Sequence, residues 1–268
     1  MLILPVGKRH GLSYTQIWYP TDPGVIRTVM QSVTTVAVCN SSFDAQSAGL
    51  LNFRSKWEDW WTTYIRLELP PDELRRRLDP KSCRYEIRKS EKIPCVVSVN
   101  DRTDDAYDLI QNFIKRKGYR NPMTTTEWKE YRRTGDIHSI QLDGQTIAAH
   151  VILLDPPERT RLLISATCSR KDEKFRHWVG PMNRRLHWEE ILFYKSRSYA
   201  EYDFGGIWPD PANQFHSIGK FKTSFGGEVK KLHNFVVIKN PLLRTAWKTA
   251  RAAKRTAVYL KSIIRRRG

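Results

Sequence analysis

Residues 137–167 read IHSIQLDGQTIAAHVILLDPPERTRLLISAT. Two runs dense in isoleucine, valine and leucine flank Asp143-Gly144, the pair that supplies the two positive-φ positions of a tight hairpin turn. A third run follows Pro156-Pro157. The stretch therefore predicts three successive strands, Ile137–Leu142, Thr146–Leu154 and Thr160–Thr167. Outward from it, Met182–Ser196 has the apolar period of a helix, and Tyr199–Phe204 and Glu228–Ile238 read as strands around a short helix within Phe215–Phe225.

Toward the N-terminus, Thr125–Arg133 and Asp104–Lys117 read as helices, the second stopped by Gly118. Cys95–Val99 is a strand. Ser82–Lys92 and the proline-led PDELRRRL at 71–78 are helices, and Tyr64–Leu69 alternates like a half-buried strand. The order β-α-α-β-α-α-β-β-β-α-β-α-β predicts an α/β fold, a mixed sheet with helices on its faces. Residues 1–62 carry weaker signals. Thr35–Val38 reads as a strand, and the tryptophans of WEDWW (57–61) read as packing or a lid. Expected boundaries are an N-terminal extension or reduced subdomain at 1–62, a main domain at 63–240 and a distinct tail at 241–268.

The 268 residues suffice for a proper core, and their 40% hydrophobic and 28% charged content is that of a folded chain. The charge balance is unusual: 46 Lys+Arg against 28 Asp+Glu, a formal net charge of +18. Such an excess favours phosphate-rich or anionic-membrane partners. Cys39, Cys83, Cys95 and Cys168 are widely spaced and read as reduced thiols. No apolar run approaches the roughly 20 residues of a membrane span, and the first residues do not make a secretion signal. These features predict a cytoplasmic protein, with peripheral contact on the inner face of the plasma membrane through its tail. That tail has no acidic residue after Glu228 and nine Lys/Arg from Pro241 onward. Leu243, Trp247, Ala250, Ala253, Ala257, Leu260 and Ile264 form one stripe of a basic amphipathic helix, suited to an anionic membrane or to a phosphate backbone.

No P-loop, nucleophile elbow or dinucleotide fingerprint occurs, and the seven histidines lack metal-ligand spacing, so neither a metal nor a resident cofactor is expected. Two features remain. Arg84, Arg88, Lys89 and Lys92 gather cations on a helix, which reads either as a solvated face paired to Glu86 and Glu91 or as a clamp for a phosphorylated substrate. The second is YDFGGIWPDPANQFHSIGKFKTSFGGE at 202–228, which holds five of the 14 glycines. Gly205-Gly206 follows a strand end, where backbone can approach a ligand, and Lys220 and Lys222 lie on different faces of the next helix, so one should point inward.

Arg84-Tyr-Glu-Ile-Arg-Lys-Ser-Glu-Lys92, the Trp188-Glu-Glu-Ile helix, Tyr202-Asp-Phe-Gly-Gly-Ile207 and Phe221-Lys-x-x-Phe-Gly-Gly-Glu228, in that order over residues 63–240, resemble the FemAB-type peptidyltransferases. The resemblance implies a GCN5-related acetyltransferase (GNAT) fold and transfer of an acyl group onto an amine. In bridge-forming members the donor is aminoacyl-tRNA and the acceptor a peptidoglycan precursor. It also implies that Phe221 and Lys222 match the family's functional Phe-Lys pair, Arg84, Arg88, Lys89 and Lys92 its basic helix, and Asp203 with Gly205-Gly206 its strand-end motif.

Two departures stand out. Bridge-forming members carry two such domains, and this chain has room for one and a fraction. The acyl-CoA signature of GNAT enzymes is absent from the corresponding stretch, SRKDEKFRHWVGPMNRR. Aminoacyl-tRNA is therefore the favoured donor, with acyl-CoA-dependent acetylation of an amino sugar as the alternative, and a non-catalytic RNA- or membrane-binding module as an alternative of another class. The acceptor would be a nucleotide- or lipid-linked glycan or peptide. Lys222 would stabilise developing charge; Asp203, His216, His150 or a substrate phosphate would take the amine proton.

Overall fold

The computed structural model describes residues 1–4, 7–9, 12–118, 123–247 and 249. The chain divides into two compact units, 1–60 with 231–268, and 61–230. Strands β1 (Leu2–Ile3), β2 (Gly7–Arg9), β3 (Leu12–Trp18) and β4 (Thr35–Ser41) and helix α1 (Pro23–Ser32) belong to the first. There β1 and β2 pair antiparallel with β3, and β3 runs parallel to β4. Asp22 caps α1 by accepting from the Gly24 amide at 2.8 Å, and Pro23 occupies its first turn. Ile26 and Met30, one turn apart, bury against Ile17, Val36, Val38 and Phe235.

Strand β5 (Arg54–Arg66) carries the chain into the second unit, so the WEDWW tryptophans lie on a strand and not in a lid. Then follow α2 (Pro71–Arg77), α3 (Cys83–Glu91), β6 (Val96–Val99), α4 (Thr103–Arg116), α5 (Thr125–Thr134), β7 (Gly135–Leu142), β8 (Gln145–Asp155), β9 (Arg159–Thr167), α6 (Val179–Ser196), β10 (Glu201–Ile207) and α7 (His216–Thr223). The last strand, β11 (Glu228–Ile238), returns to the first unit and pairs antiparallel with β4.

Within the second unit the strand order is β5-β10-β9-β8-β7-β6. The β9–β10 pair is parallel, with Asp203 opposite Arg161, and the other neighbours are antiparallel. Asp143 and Gly144 both have positive φ, as the hairpin turn between β7 and β8 requires. Alternate residues of β8 serve opposite faces. Ala148 packs with Met182 and Leu186 of α6, whereas Ala149 and Val151 pack with Ile110 of α4 and Trp128 of α5.

Two elements differ from expectation in ways that shape the site. Gly205-Gly206 does not open a loop. Strand β10 runs through both glycines, and its register against β5 slips between Asp203 and Gly206, a bulge made possible by Gly205 at φ +78. Helix α6 begins at Val179 because Gly180-Pro181 fall in its first turn, where a missing amide costs little. Of the basic tail, residues 241–247 are helical. The remaining stripe positions, Ala250, Ala253, Ala257, Leu260 and Ile264, lie outside the described residues. Among the described residues no helix is long and apolar enough to cross a membrane.

Candidate active site

The bulge lies within β10, at the point where its parallel pairing with β9 stops, Asp203 opposite Arg161 being the last pair. Asp203 is fully occupied there. Its Oδ2 accepts from Arg161 at 2.8 Å, and its Oδ1 accepts from the Gly205 amide at 2.6 Å and from the Thr62 hydroxyl. Arg161 and Asp203 are both buried. A strand must carry this pair inside the sheet, because each charge makes the other tolerable only at contact distance.

Lys222 completes the cluster. It lies on the inward side of α7, and its Nζ donates to the Gly206 carbonyl at 2.7 Å. Burial, and then the Arg161 charge, lower its pKa to about 8, with Asp203 acting in the opposite sense. Lys220, two residues earlier, is exposed. The expectation that one of the two lysines turns inward is met by Lys222.

Phe221 is held from above. The Arg184 guanidinium sits 4.5 Å from its ring centroid, donates to Glu86 of α3 at 2.6 Å, and reaches Ser224 just past α7 at 2.8 Å. A single arginine from α6 thus ties α3 to the helix that carries Lys222. Glu86 is therefore engaged by α6, and Glu91 pairs with Arg75 of α2, so neither acid serves the cations of its own helix. Those cations diverge. Arg84 donates to the carbonyls of Arg76 and Leu78, closing the end of α2, and Lys89 lies 4.8 Å above the Trp178 ring. Arg88 and Lys92 are exposed. His216 points its Nδ1 at the Trp208 carbonyl, 3.2 Å away.

Behind the bulge lies a buried polar core that spacing did not reveal. The rings of His150 and His187 stack at 4.0 Å, and Glu190 joins them. Its Oε1 is 2.7 Å from His150 Nδ1, and its Oε2 accepts from the Tyr202 hydroxyl at 2.5 Å and faces His187 Nδ1 at 3.2 Å. His150 Nε2 meets Asn183 Oδ1 at 2.9 Å. Burial opposes ionisation of Glu190, yet the His150 charge and the hydrogen bonds from both histidines hold its pKa well below the usual carboxylate range. Burial, then His150, lower His187 to about 3, so that ring is neutral.

The candidate ligand atoms of His150, His187 and Glu190 lie within 4.8 Å of one another. Both nitrogens of His150 already face oxygen atoms and the two rings stack, so the trio reads as a hydrogen-bonded core and not as an open coordination site. It leaves His150 too enclosed to reach a substrate amine. Arg161, Thr62 and Arg184 were missed in the same way as this core. The available signal was Glu190 set between apolar helix positions.

The FemAB family model matches residues 115–252, more than half of the chain and the whole of the segment from α6 through α7. The chain belongs to the FemAB family. It is an acyltransferase. No curated protein matches it. Among solved structures it is similar to FemX, at 12% identity over 91% of this chain and 86% of that one, with a TM-score of 0.65. It is also similar to L-PGS from Bacillus licheniformis, at 11% identity over 90% of this chain and 83% of that one, with a TM-score of 0.58. A C-terminal domain from Agrobacterium fabrum, described as that of a lysylphosphatidylglycerol synthetase, matches at 10% identity over 91% and 84%, with a TM-score of 0.58. At these identities the likeness is one of fold, and the mixed α/β architecture expected from the sequence is the one observed.

Proposed function

We propose that this FemAB-family acyltransferase moves an aminoacyl group from aminoacyl-tRNA to an amine of a cell-envelope precursor. The observation that carries the reading is Lys222, a cation fixed by the Gly206 carbonyl at the bulge of β10, crowded by protein and beside a closed Arg161–Asp203 pair. An uncharged acceptor amine attacks the ester carbonyl of the donor, the new C–N bond forms, the C–O bond to ribose breaks, and the tRNA hydroxyl leaves with a proton. Lys222 balances the charge that develops on the carbonyl oxygen or on a donor phosphate. Asp203 accepts three hydrogen bonds, so it shapes the bulge and leaves the amine proton to another base, His216 or a substrate phosphate.

The donor preference has its own support. A pyrophosphate seated at the start of α6 would need free amides in the first turn. The Val179 amide already donates to Phe175 O at 3.1 Å, and Pro181 has none, which leaves at most the Gly180 amide of the first three. Coenzyme A is poorly served by such a terminus.

The test supplies the protein separately with labelled acetyl-CoA and with charged tRNA pools, each with amino-sugar nucleotides and muropeptide precursors as acceptors. Label should pass from tRNA to an acceptor amine, and Lys222→Ala should lower that rate by about 10²–10³ with its circular dichroism unchanged. Transfer from acetyl-CoA alone would reverse the donor assignment. Undiminished turnover in Lys222→Ala would remove Lys222 from the chemistry.

A further inference from the structure

The cations that do not enter the Lys222 cluster are not spread evenly. Strands β9 and β10 finish at one end of the second unit's sheet. The same end holds the β7–β8 hairpin turn, since Ala148 lies opposite Thr167. Three separate segments bring positive charge there. From one face of the sheet comes the last turn of α4, where Arg116 donates to the Thr167 carbonyl at 2.6 Å and exposed Lys117 follows. Across the end runs the segment between β9 and α6, with Arg170, Lys171 and Arg176 exposed, and with Lys174 3.2 Å from Asp143 of the hairpin turn. From the other face comes the outer side of α3, which reaches the start of α6 through Lys89 over Trp178 and joins Arg184 through Glu86.

This arc starts beside Phe221 and Lys222 and passes over the sheet end to α4. Asp172 and Glu173 are the acids within its middle segment, and among the described residues Arg88, Lys92, Lys117, Arg170, Lys171 and Arg176 form no ion pair. In the middle segment and the last turn of α4 the exposed side chains are polar and mostly cationic, with no large apolar group of the sort that anchors a protein in lipid. On α3, Tyr85 is 61% exposed and shares its face with Arg88 and Lys92 at i+3 and i+7. An aromatic ring between cations is a platform on which an unpaired base can stack while the phosphates are neutralised.

We infer that this arc is the docking surface for the phosphate backbone of an RNA helix with an unpaired end, oriented so that the end enters at Lys222. The inference rests on the aminoacyl-tRNA reading and supplies what that reading lacks, the surface that holds the donor. Contacts of this kind release condensed counterions, so affinity falls steeply with salt and each neutralised phosphate adds about 0.9 to the slope of log K against log salt for a duplex.

The experiment measures binding of uncharged tRNA by fluorescence anisotropy over a salt series, for the wild type and two double variants. Arg88→Glu with Lys171→Glu reverses two exposed cations of the arc. Lys129→Glu with Arg132→Glu makes the same charge change on exposed α5, which leads into β7 at the other end of the sheet. The arc variant should lose tenfold or more in affinity, and its salt slope should drop by about 2 for two phosphate contacts removed. The α5 variant should change affinity less than threefold and keep the slope.

Equal losses in both variants, or no tRNA binding by the wild type, would overturn the surface. So would an arc variant that keeps tRNA binding but no longer binds phosphatidylglycerol vesicles. If the arc variant alone loses tRNA yet the wild type transfers nothing from charged tRNA, the surface stands and the donor assignment fails.

Discussion

Lys222 is costly to the fold. Its folded pKa of about 8 lies below the ordinary 10.5, because burial and the Arg161 charge disfavour the ammonium. Between those two values the unfolded chain binds more protons than the native one, so stability conferred at this position rises with pH. Lys222→Met removes the buried charge. It should melt at or above the wild-type temperature at pH 7, with an advantage that shrinks toward pH 10. A variant that melts well below wild type at pH 7 would show that the bond to the Gly206 carbonyl outweighs the desolvation.

In the proposed reaction the same depression would set the alkaline limb. If the cation is what the reaction needs, kcat/KM should fall above pH 8 as Lys222 loses its proton. Arg161→Gln removes the like charge and frees Asp203 to act on the lysine, both of which raise its pKa, so the limb should move to higher pH. An unmoved limb would assign it to another group. Lys222 was legible in the sequence because it sits in Phe221-Lys222 between two Gly-Gly pairs. Its partner Arg161 was not, since in RTRLLISAT nothing distinguishes an arginine turned into the protein from one at a strand edge.

At the scale of elements, the second unit was legible where its residues obey one period and are punctuated. Strand β11 has the predicted bounds, and α3, α4 and α5 agree to within a residue or two at each end. The failures have physical causes. In α1, PGVIRTVMQS is dense in β-branched residues, which mimic a strand, and only the Asp22 cap with Ile26 and Met30 one turn apart betrays the helix. The first half of β5, RSKWEDWW, alternates neither cleanly apolar nor cleanly polar. Glycine misled in β10, where Gly205-Gly206 reads as a loop but forms a bulge.

Gly226 behaves as a helix stop should. It lies just beyond α7 at φ +78 with its amide donating to Thr223 O, and a Cβ there would come 2.4 Å from the Arg77 carbonyl oxygen. Gly226→Ala should therefore destabilise the protein by more than about 2 kcal/mol, left-handed strain and a backbone clash together. Urea unfolding measures this, and a loss below about 0.5 kcal/mol, the scale of an ordinary surface change, would mean that α7 can shift away from α2.

Over the whole molecule the net charge of +18 acts twice, with opposite signs. Like charges destabilise the compact state by mutual repulsion. Added salt shortens the screening length from roughly 30 Å at 0.01 M to roughly 10 Å at 0.1 M, which relieves that repulsion. The melting temperature should therefore rise over this range. A polyanionic donor responds in reverse, because the counterions it releases on binding are released against a higher bulk concentration. With charged tRNA as donor, KM should climb steeply with salt while kcat, set at the Lys222 cluster inside the protein, changes little. A small acyl donor carrying a few charges should show a much shallower KM dependence. Melting curves and initial rates across one salt series read both effects on the same sample. Parallel loss of stability and activity would mean that surface ion pairs such as Arg77–Glu73 and Lys231–Asp59 outweigh the excess of positive charge. A rising melting temperature with a salt-insensitive KM would leave the charge serving something other than the donor.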